Sequence, residues 1–361
     1  MAYLRVRTDQ LRKGMIVVND VYSCTGAIIV PEGTPVTKDV VSLLARHFID
    51  YIMVDYQAAS PASSAEISPA ESTTKISSGQ IKEFKESFHV AETALSQSLK
   101  DIVAQDKELD VSFLLGSLNT IVEKAGNEVA LCDMLLSMKQ SAEGLYAHSI
   151  NVALLGQVLA QWLNLKKEEI EDVVLTGLLH DIGLLKITNG TLPPNFSFRE
   201  ELLPKKYGKH TIEGYNIIKN KDISARVKQA VLTHHERLDG SGFPLKADIS
   251  NINPISRIIA IADFYDTMTM KSEGGEPISP FLILKELEEN GHHKYDSEML
   301  ITFISRLANN FIRHKVRLNN GQTGQIVLIN KFNLTRPLVQ SGSCFIDLSL
   351  RPDLQITEVL D

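Results

Sequence analysis

The hydrophobic positions change period three times along the chain. Over residues 1–56 they come in short β-branched runs, Gly14-Met-Ile-Val-Val18, Ala27-Ile-Ile-Val30 and Tyr51 to Val54, with Pro31-Glu-Gly33 as a turn. Thr37 is placed to cap a helix from Lys38 to about His47, so this stretch predicts a small α+β accessory module. Between Gln57 and Gly79 large apolar side chains almost vanish. The 23 positions include seven Ser, five Ala and two Pro, too little hydrophobic area to offset the entropy of ordering, and residues 57–79 read as a flexible linker. From Ile81 to Met138 the period is helical, with Phe84, Phe88, Ala91, Leu95, Leu99 and Ile102 on one face and Gly126-Asn127 as a break. Helical pattern resumes from Ala142 to Asn164, from Lys167 to His180, and through further segments to about His314. Val316 to Leu318, Gly324 to Ile329 and Phe345 to Leu350 then read as strands, separated by Asn319-Asn-Gly321 and Ser341-Gly342. The expected fold is mainly α, with a small N-terminal α+β module and a short C-terminal β appendage. Its divisions are the module 1–56, the linker 57–79, a helical connector 80–140, a helical core 141–314 and a β extension 315–361. The connector is a candidate homodimer surface, and the N-terminal module a candidate site for a signalling partner.

Composition narrows the class without naming a chemistry. A length of 361 residues allows two to three domains, and 43% hydrophobic with 22% charged residues is that of an ordinary globular protein. The formal charge of −7, with no local run of Lys and Arg, argues against a nucleic-acid polymer as partner. Cys24, Cys132 and Cys344 form no CxxC pair, which excludes a disulfide framework and a thiolate zinc site. No signal-type apolar segment and no run of about 18 apolar residues is present, so a cytoplasmic location without a membrane segment is expected.

The chemistry sits in the histidines. His148, His180, His210, His234 and His235 fall in the helical core, together with Asp181 and Asp263. A lone His148 beside Val152, Leu155 and Leu159 is ordinarily a core residue. Asp263 ends the apolar run Ile258-Ile-Ala-Ile-Ala-Asp263, where an unpaired carboxylate is costly, and His180-Asp181 ends Val173-Val-Leu-Thr-Gly-Leu-Leu179. A metal satisfies both. Imidazoles with carboxylates and no thiolate suit iron, manganese, zinc or cobalt. Seven donors are too many for one ion, and two ions sharing a carboxylate would use them all and leave positions for solvent.

His180-Asp181 within Leu-Leu-His-Asp-Ile-Gly, preceded by His148 and followed by Asp263, resembles the HD phosphohydrolase superfamily. His234-His-Glu-Arg-Leu-Asp-Gly-Ser-Gly-Phe-Pro244 is similar to the signature of its HD-GYP branch, bacterial cyclic di-GMP phosphodiesterases. The likeness runs from about Tyr146 to Phe281 and includes Lys209-His210 and Arg257 to Thr269. It implies an HD-type helical metallohydrolase core over 141–314, in which His148, His180, Asp181 and Asp263 hold one metal, His210, His234 and His235 the second, and Asp181 bridges. The cofactors implied are two divalent transition-metal ions, iron first and manganese as the alternative. The reaction implied is attack of the bridging hydroxide on a phosphate of cyclic di-GMP or a related cyclic dinucleotide, giving pGpG or GMP without a covalent nucleophile. Lys186, Lys209, Arg237, Gly240, Gly242, Phe243, Pro244 and Lys271 are the substrate-contact candidates.

The chain departs from that family where phosphate is gripped. Leu184 stands where a Lys usually follows His-Asp-Ile-Gly, and Met270-Lys-Ser-Glu-Gly-Gly275, with Ser272, replaces a basic segment. Losing two or three charge-assisted contacts, each worth roughly 1.5–3 kcal/mol, would cost orders of magnitude in binding or rate. Phe243 replaces the Tyr of the signature, keeping the ring without the hydroxyl. Gly144 stands where some members have a Glu for a third metal, and Glu143 beside it would point elsewhere, so two metals are expected. These departures leave two alternatives open: a weak or inactive receptor or adaptor, and an HD hydrolase of another nucleotide. Elsewhere, Gly240-Ser-Gly242 reads as a loop rather than a nucleophile turn, His292-His293 as exposed, and Trp162 as core.

Overall fold

The computed structural model of the chain describes residues 3–8, 11, 15–22, 28–37, 40–41, 43–44, 51–55, 77–138, 144–193, 196–199, 204–270 and 278–360. Contacts divide it into two units, Met1–Thr74 and Lys75–Asp361.

In the first unit β1 (Tyr3–Arg7), β2 (Ile16–Val17) and β5 (Tyr51–Asp55) form an antiparallel sheet in the order β1-β5-β2, and β3 (Val21–Tyr22) pairs with β4 (Ile28–Val30). The β-branched runs supply β2, β4 and β5. Periodicity does not reveal β1 and β3, because Tyr3–Arg7 alternates with arginines and Val21–Tyr22 is only two residues long. Val17, Val30, Val36, Leu44, Ile52 and Val54 make this unit's own core. Thr37 caps as expected, its Oγ1 accepting the Val40 N–H at 3.3 Å. Most of the expected linker and helix end lie outside the described residues.

The second unit opens with α1 (Ser78–Gln105), α2 (Val111–Ala125) and α3 (Glu128–Met138). Ser77 starts α1 with a capping box: its Oγ accepts the Gln80 N–H (3.2 Å), and Gln80 Oε1 accepts the Ser77 N–H (2.9 Å). The face Phe84, Phe88, Ala91, Leu95, Leu99, Ile102 is buried as the spacing predicts. The structure adds a break at residues 106–110 that the periodicity does not indicate. Asp106 is left-handed (φ 52°), and the Asp110 carboxylate caps α2 by accepting the Phe113 N–H at 2.9 Å.

α4 (Leu145–Trp162) is the interior helix, with every residue from Ala147 to Ala160 buried, as its apolar periphery requires. Around it lie α5 (Lys167–Leu179), α6 (Ile182–Ile187), α7 (His210–Ile218), α8 (Ala225–Thr233), α9 (Pro254–Thr269), α10 (Pro280–Asn290) and α11 (Ser297–Asn310). α5 reaches α4 at Gly177, where a Cβ would stand 2.5 Å from the Ala153 Cα.

The C-terminal β region is larger than expected. β6 (Lys315–Leu318), β7 (Thr323–Asn330), β8 (Asn333–Ser341), β9 (Cys344–Asp347) and β10 (Ile356–Val359) form one antiparallel sheet in the order β10-β6-β7-β8-β9. The sequence pattern hides β8 because Pro337 argues against a central strand. The proline is tolerated because pairing with β9 starts only at Leu338 and the β7 pairing is irregular between Leu328 and Asn330. Residues 348–350 form a 3-10 turn rather than strand, capped by the Asp347 carboxylate on the Ser349 N–H. Val316, Leu318, Ile326, Val339 and Ile356 share one core with Phe303, Ile304 and Leu307 of α11. The chain is mainly α, with the small N-terminal α+β unit and this C-terminal sheet. Among the described residues no helix is long and apolar enough to cross a membrane.

Gly177→Val inserts a branched side chain where backbone already stands at contact distance. It should lower unfolding free energy by about 1–3 kcal/mol in urea denaturation, with little change in helix content before the transition.

Candidate metal centre

Helix ends place the candidate donors. His180 and Asp181 lie at the junction of α5 and α6, His210 opens α7, His234 and His235 follow α8, and His148 and Asp263 project from α4 and α9. All seven are 0–5% exposed. At Gly183 a Cβ would fall 2.0 Å from the His210 carbonyl oxygen, so a glycine there lets α6 meet α7 and brings Asp181 to His210.

The same local hydrogen bond orients three of the imidazoles. Nδ1–H of His180 donates to the Gly177 carbonyl (2.8 Å), that of His210 to Tyr207 (2.7 Å), and that of His234 to Val231 (2.9 Å), each three residues back. A carbonyl only accepts, so Nδ1 carries the proton and Nε2 presents a lone pair inward. At the ends of α5 and α8 this bond also satisfies a carbonyl that the helix leaves unpaired. His148 has a carboxylate in that role, with Nδ1 2.8 Å from Asp266 Oδ2. Asp266 is fully buried and is not among the sequence candidates. Its signal is present, since Asp263 and Asp266 stand three apart on one helix and share a face.

The inward atoms form two groups, His148-His180-Asp263 and Asp181-His210-His234-His235, each with its donor atoms within 4.8 Å of one another. Asp181 faces both. Its Oδ1 is 3.2 Å from His210 Nε2, and its Oδ2 is 3.4 Å from His180 Nε2 and 3.8 Å from His148 Nε2. Asp263 Oδ1 lies 3.2 Å from His148 Nε2 and accepts the Thr267 hydroxyl at 3.2 Å.

The arrangement fits divalent cations. Nε2 of His148 and His180 are 3.3 Å apart, and those of His210 and His234 3.2 Å. Lone pairs at that distance repel unless a proton or a cation stands between them. Two nitrogens about 2.1 Å from one cation and roughly at right angles are about 3.0 Å apart. Without metal, protons partly fill this need. Burial opposes a charge on His148, yet its hydrogen bonds to Asp263 and Asp266 prevail and raise its pKa to about 10. Burial, together with the charges of His180 and His210, lowers His234 to about 3, and His235 is also pushed well down. Asp181 and Asp263, despite burial, are held below the usual carboxylate range by the neighbouring imidazoles.

The substrate-contact candidates scatter. Phe243 stacks on His235 (centroids 4.6 Å, interplanar 20°) and roofs it, while Gly242 is buried and Gly240 and Pro244 partly so in the same loop. Glu236, another residue outside the sequence candidates, holds that loop by accepting the N–H groups of Leu245 (2.6 Å) and Ala247 (2.9 Å). Arg237 is no surface cation. It is 4% exposed, donates from Nη1 to the His234 and Glu236 carbonyls, and covers the Tyr295 ring. Lys186 is exposed and bonded to Glu213 Oε2 at 2.7 Å, and Lys209 is exposed on the turn before α7. Leu184 is 1% exposed, part of the core. Lys271, Ser272 and Glu143 lie outside the described residues. His292 and His293 are exposed, and Trp162 is partly buried against the core, donating to Glu128 Oε2 at 2.6 Å.

Residues 130–299 match the family model described as "HD domain". The cyclic di-GMP phosphodiesterase PA4108 of Pseudomonas aeruginosa is 28% identical over 211 residues, 57% of this chain and 50% of its own. The 3'3'-cGAMP-specific phosphodiesterase 1 of Vibrio cholerae is 36% identical over 126 residues, 34% of this chain and 28% of its own. The chain thus spans half or less of the length of these curated relatives. Among solved structures, the Bdellovibrio bacteriovorus protein Bd1817, described as a HDG"Y"P protein, aligns with a TM-score of 0.44 at 16% identity, covering 85% of this chain and 99% of that one.

Asp266→Asn keeps the shape of the side chain but offers His148 Nδ1–H a weaker acceptor. Affinity for divalent metal should fall about 10–100-fold in chelator competition, with folding retained. Because His148 is protonated in the metal-free site, ligation through its Nε2 must release a proton. Apparent metal affinity should therefore rise from about pH 6 to about pH 8, by up to about tenfold per pH unit for each proton displaced, with proton release measurable by calorimetry in buffers of different ionisation enthalpy.

Proposed function

We propose that this chain, whose residues 130–299 match the HD-domain family model, is an HD-GYP domain protein and a metal-dependent phosphodiesterase hydrolysing cyclic di-GMP to pGpG or GMP in bacterial second-messenger signalling. The observation that carries this reading is the pair of buried donor groups with Asp181 facing both. In this reading His148, His180, Asp181 and Asp263 hold one ion, His210, His234 and His235 the other, and Asp181 is shared. Two ions so held supply Lewis acidity at the phosphoryl oxygens and a nucleophile at neutral pH. Iron is our first assignment and manganese the alternative. The protein's own part is orientation and shielding. Carbonyl and carboxylate acceptors on Nδ1 hold the rings. Phe243 on His235, and Phe198 on His148 (centroids 4.4 Å), keep water from the ring faces.

Location in the cytoplasm, a homodimer through helices 80–140 and a signalling partner for the N-terminal module complete the proposal. The loop Gly240, Gly242, Phe243 and Pro244 is read as the substrate-side wall. A second reading, a receptor that binds cyclic dinucleotide without turnover, is favoured by the burial of Leu184, which leaves no cation at that position.

Full-length protein loaded anaerobically with iron or manganese should convert cyclic di-GMP to pGpG or GMP, and His180→Ala/Asp181→Ala should abolish product. Binding with no turnover under any metal would select the receptor. A panel that includes 3'3'-cGAMP and other phosphoesters decides the substrate class.

A further inference from the structure

A cleft of about 300 Å³ opens on the donor cluster, with His235 and Asp263 in its wall. Apart from those two, the charged residues that line it, among the described residues, are all cations: Arg199, Arg237 and Lys294. Arg237 is already engaged with backbone carbonyls and the Tyr295 ring. Arg199 differs. Its Nε is buried and has no hydrogen-bond partner among the described residues, an arrangement that disfavours the site until an acceptor arrives. Phe198, packed against His148 with its ring tilted by 32°, anchors the chain immediately before it. Lys294 is exposed, and its backbone is tied on both sides: its N–H bonds the Gly291 carbonyl (3.0 Å), and its carbonyl accepts the Leu238 N–H (3.0 Å). The carboxylate of Asp239, which feels the Lys294 charge, is occupied by the Ser241 N–H and hydroxyl at 2.9 and 2.6 Å.

We propose that Arg199 and Lys294 are substrate-binding residues that hold the phosphate of the substrate against the open side of the His/Asp cluster. The inference rests on the reading of that cluster as a phosphodiesterase centre. A guanidinium presents a planar fork that matches two phosphate oxygens, and an ammonium adds a second, more adaptable charge. In a partly enclosed cleft both act more strongly than on an open surface. Neither lies in the motifs that mark the donors. Arg199 precedes α7 by a loop, and Lys294 lies between α10 and α11, so only the folded chain brings them to one rim.

The full-length wild type, Arg199→Gln and Lys294→Met are loaded with manganese and titrated with cyclic di-GMP and, separately, with inorganic phosphate. Metal content and circular dichroism are recorded for each. Each substitution should weaken both ligands by about tenfold or more with metal content unchanged, and Arg199→Lys should recover part of the loss. If the wild type turns over cyclic di-GMP and the variants bind both ligands within twofold of it, the phosphate grip is overturned and the phosphodiesterase reading stands. If the wild type binds phosphate but no cyclic dinucleotide, and the variants weaken phosphate, the grip stands and the reading of the substrate fails. A wild type that binds neither overturns both.

Discussion

The second nitrogen of each imidazole governs this protein's chemistry. A buried histidine is useful as a donor only if one nitrogen is committed elsewhere, so that the other keeps a lone pair and a fixed direction. His180, His210 and His234 achieve this with the carbonyl three residues back. For His180 and His234 that bond costs the fold little, because at a helix C-terminus the carbonyl needs a partner in any case. His148, in the first turn of α4, uses the Asp266 carboxylate instead. The helix boundaries at residues 180, 210 and 234 are therefore part of the site rather than its surroundings.

From this constraint follows the packing. Helix ends converge on one point only if the helices approach closely there, and Gly177 and Gly183 permit that where any side chain would meet backbone. α4 supplies the rigid floor, buried around its circumference. The buried carboxylates Asp181, Asp263 and Asp266 are acceptable because each faces imidazoles, and the imidazoles in turn oppose one another across 3.2 and 3.3 Å. Such a centre is under electrostatic tension without a cation and relieved by one.

The overall charge of −7 matters less than where the cations lie. An anionic substrate of the proposed kind would meet an acidic chain, so its attraction would have to be local. Leu184 belongs to the core, and Lys186 is bonded to Glu213. Of the cations lining the cleft beside the donor cluster, Arg237 follows His235 closely in the chain, while Arg199 and Lys294 come from a loop before α7 and the turn between α10 and α11.

Local chemistry makes much of the fold and the donor set legible in the sequence. Helical periodicity marks the buried face of α1, the apolar run through Leu179 marks the helix that ends at His180-Asp181, and histidines and aspartates on apolar segments mark the donors, because each of these signals depends on near neighbours in the chain. Short or atypical strands stay hidden: β8 carries Pro337, and its pairing is a property of β7 and β9. So does the partnership of Asp266 with His148, 118 residues apart. The burial of Arg237 and the meeting of Arg199 with Lys294 are likewise invisible to spacing. The amino-acid sequence by itself determined which residues can ligate and which segments are helical, since those follow from side-chain chemistry and period. Only the tertiary structure decided which nitrogen of each ring faces inward, how the donors divide into two groups, and which cations share their cleft, since these depend on distances between segments far apart in the chain.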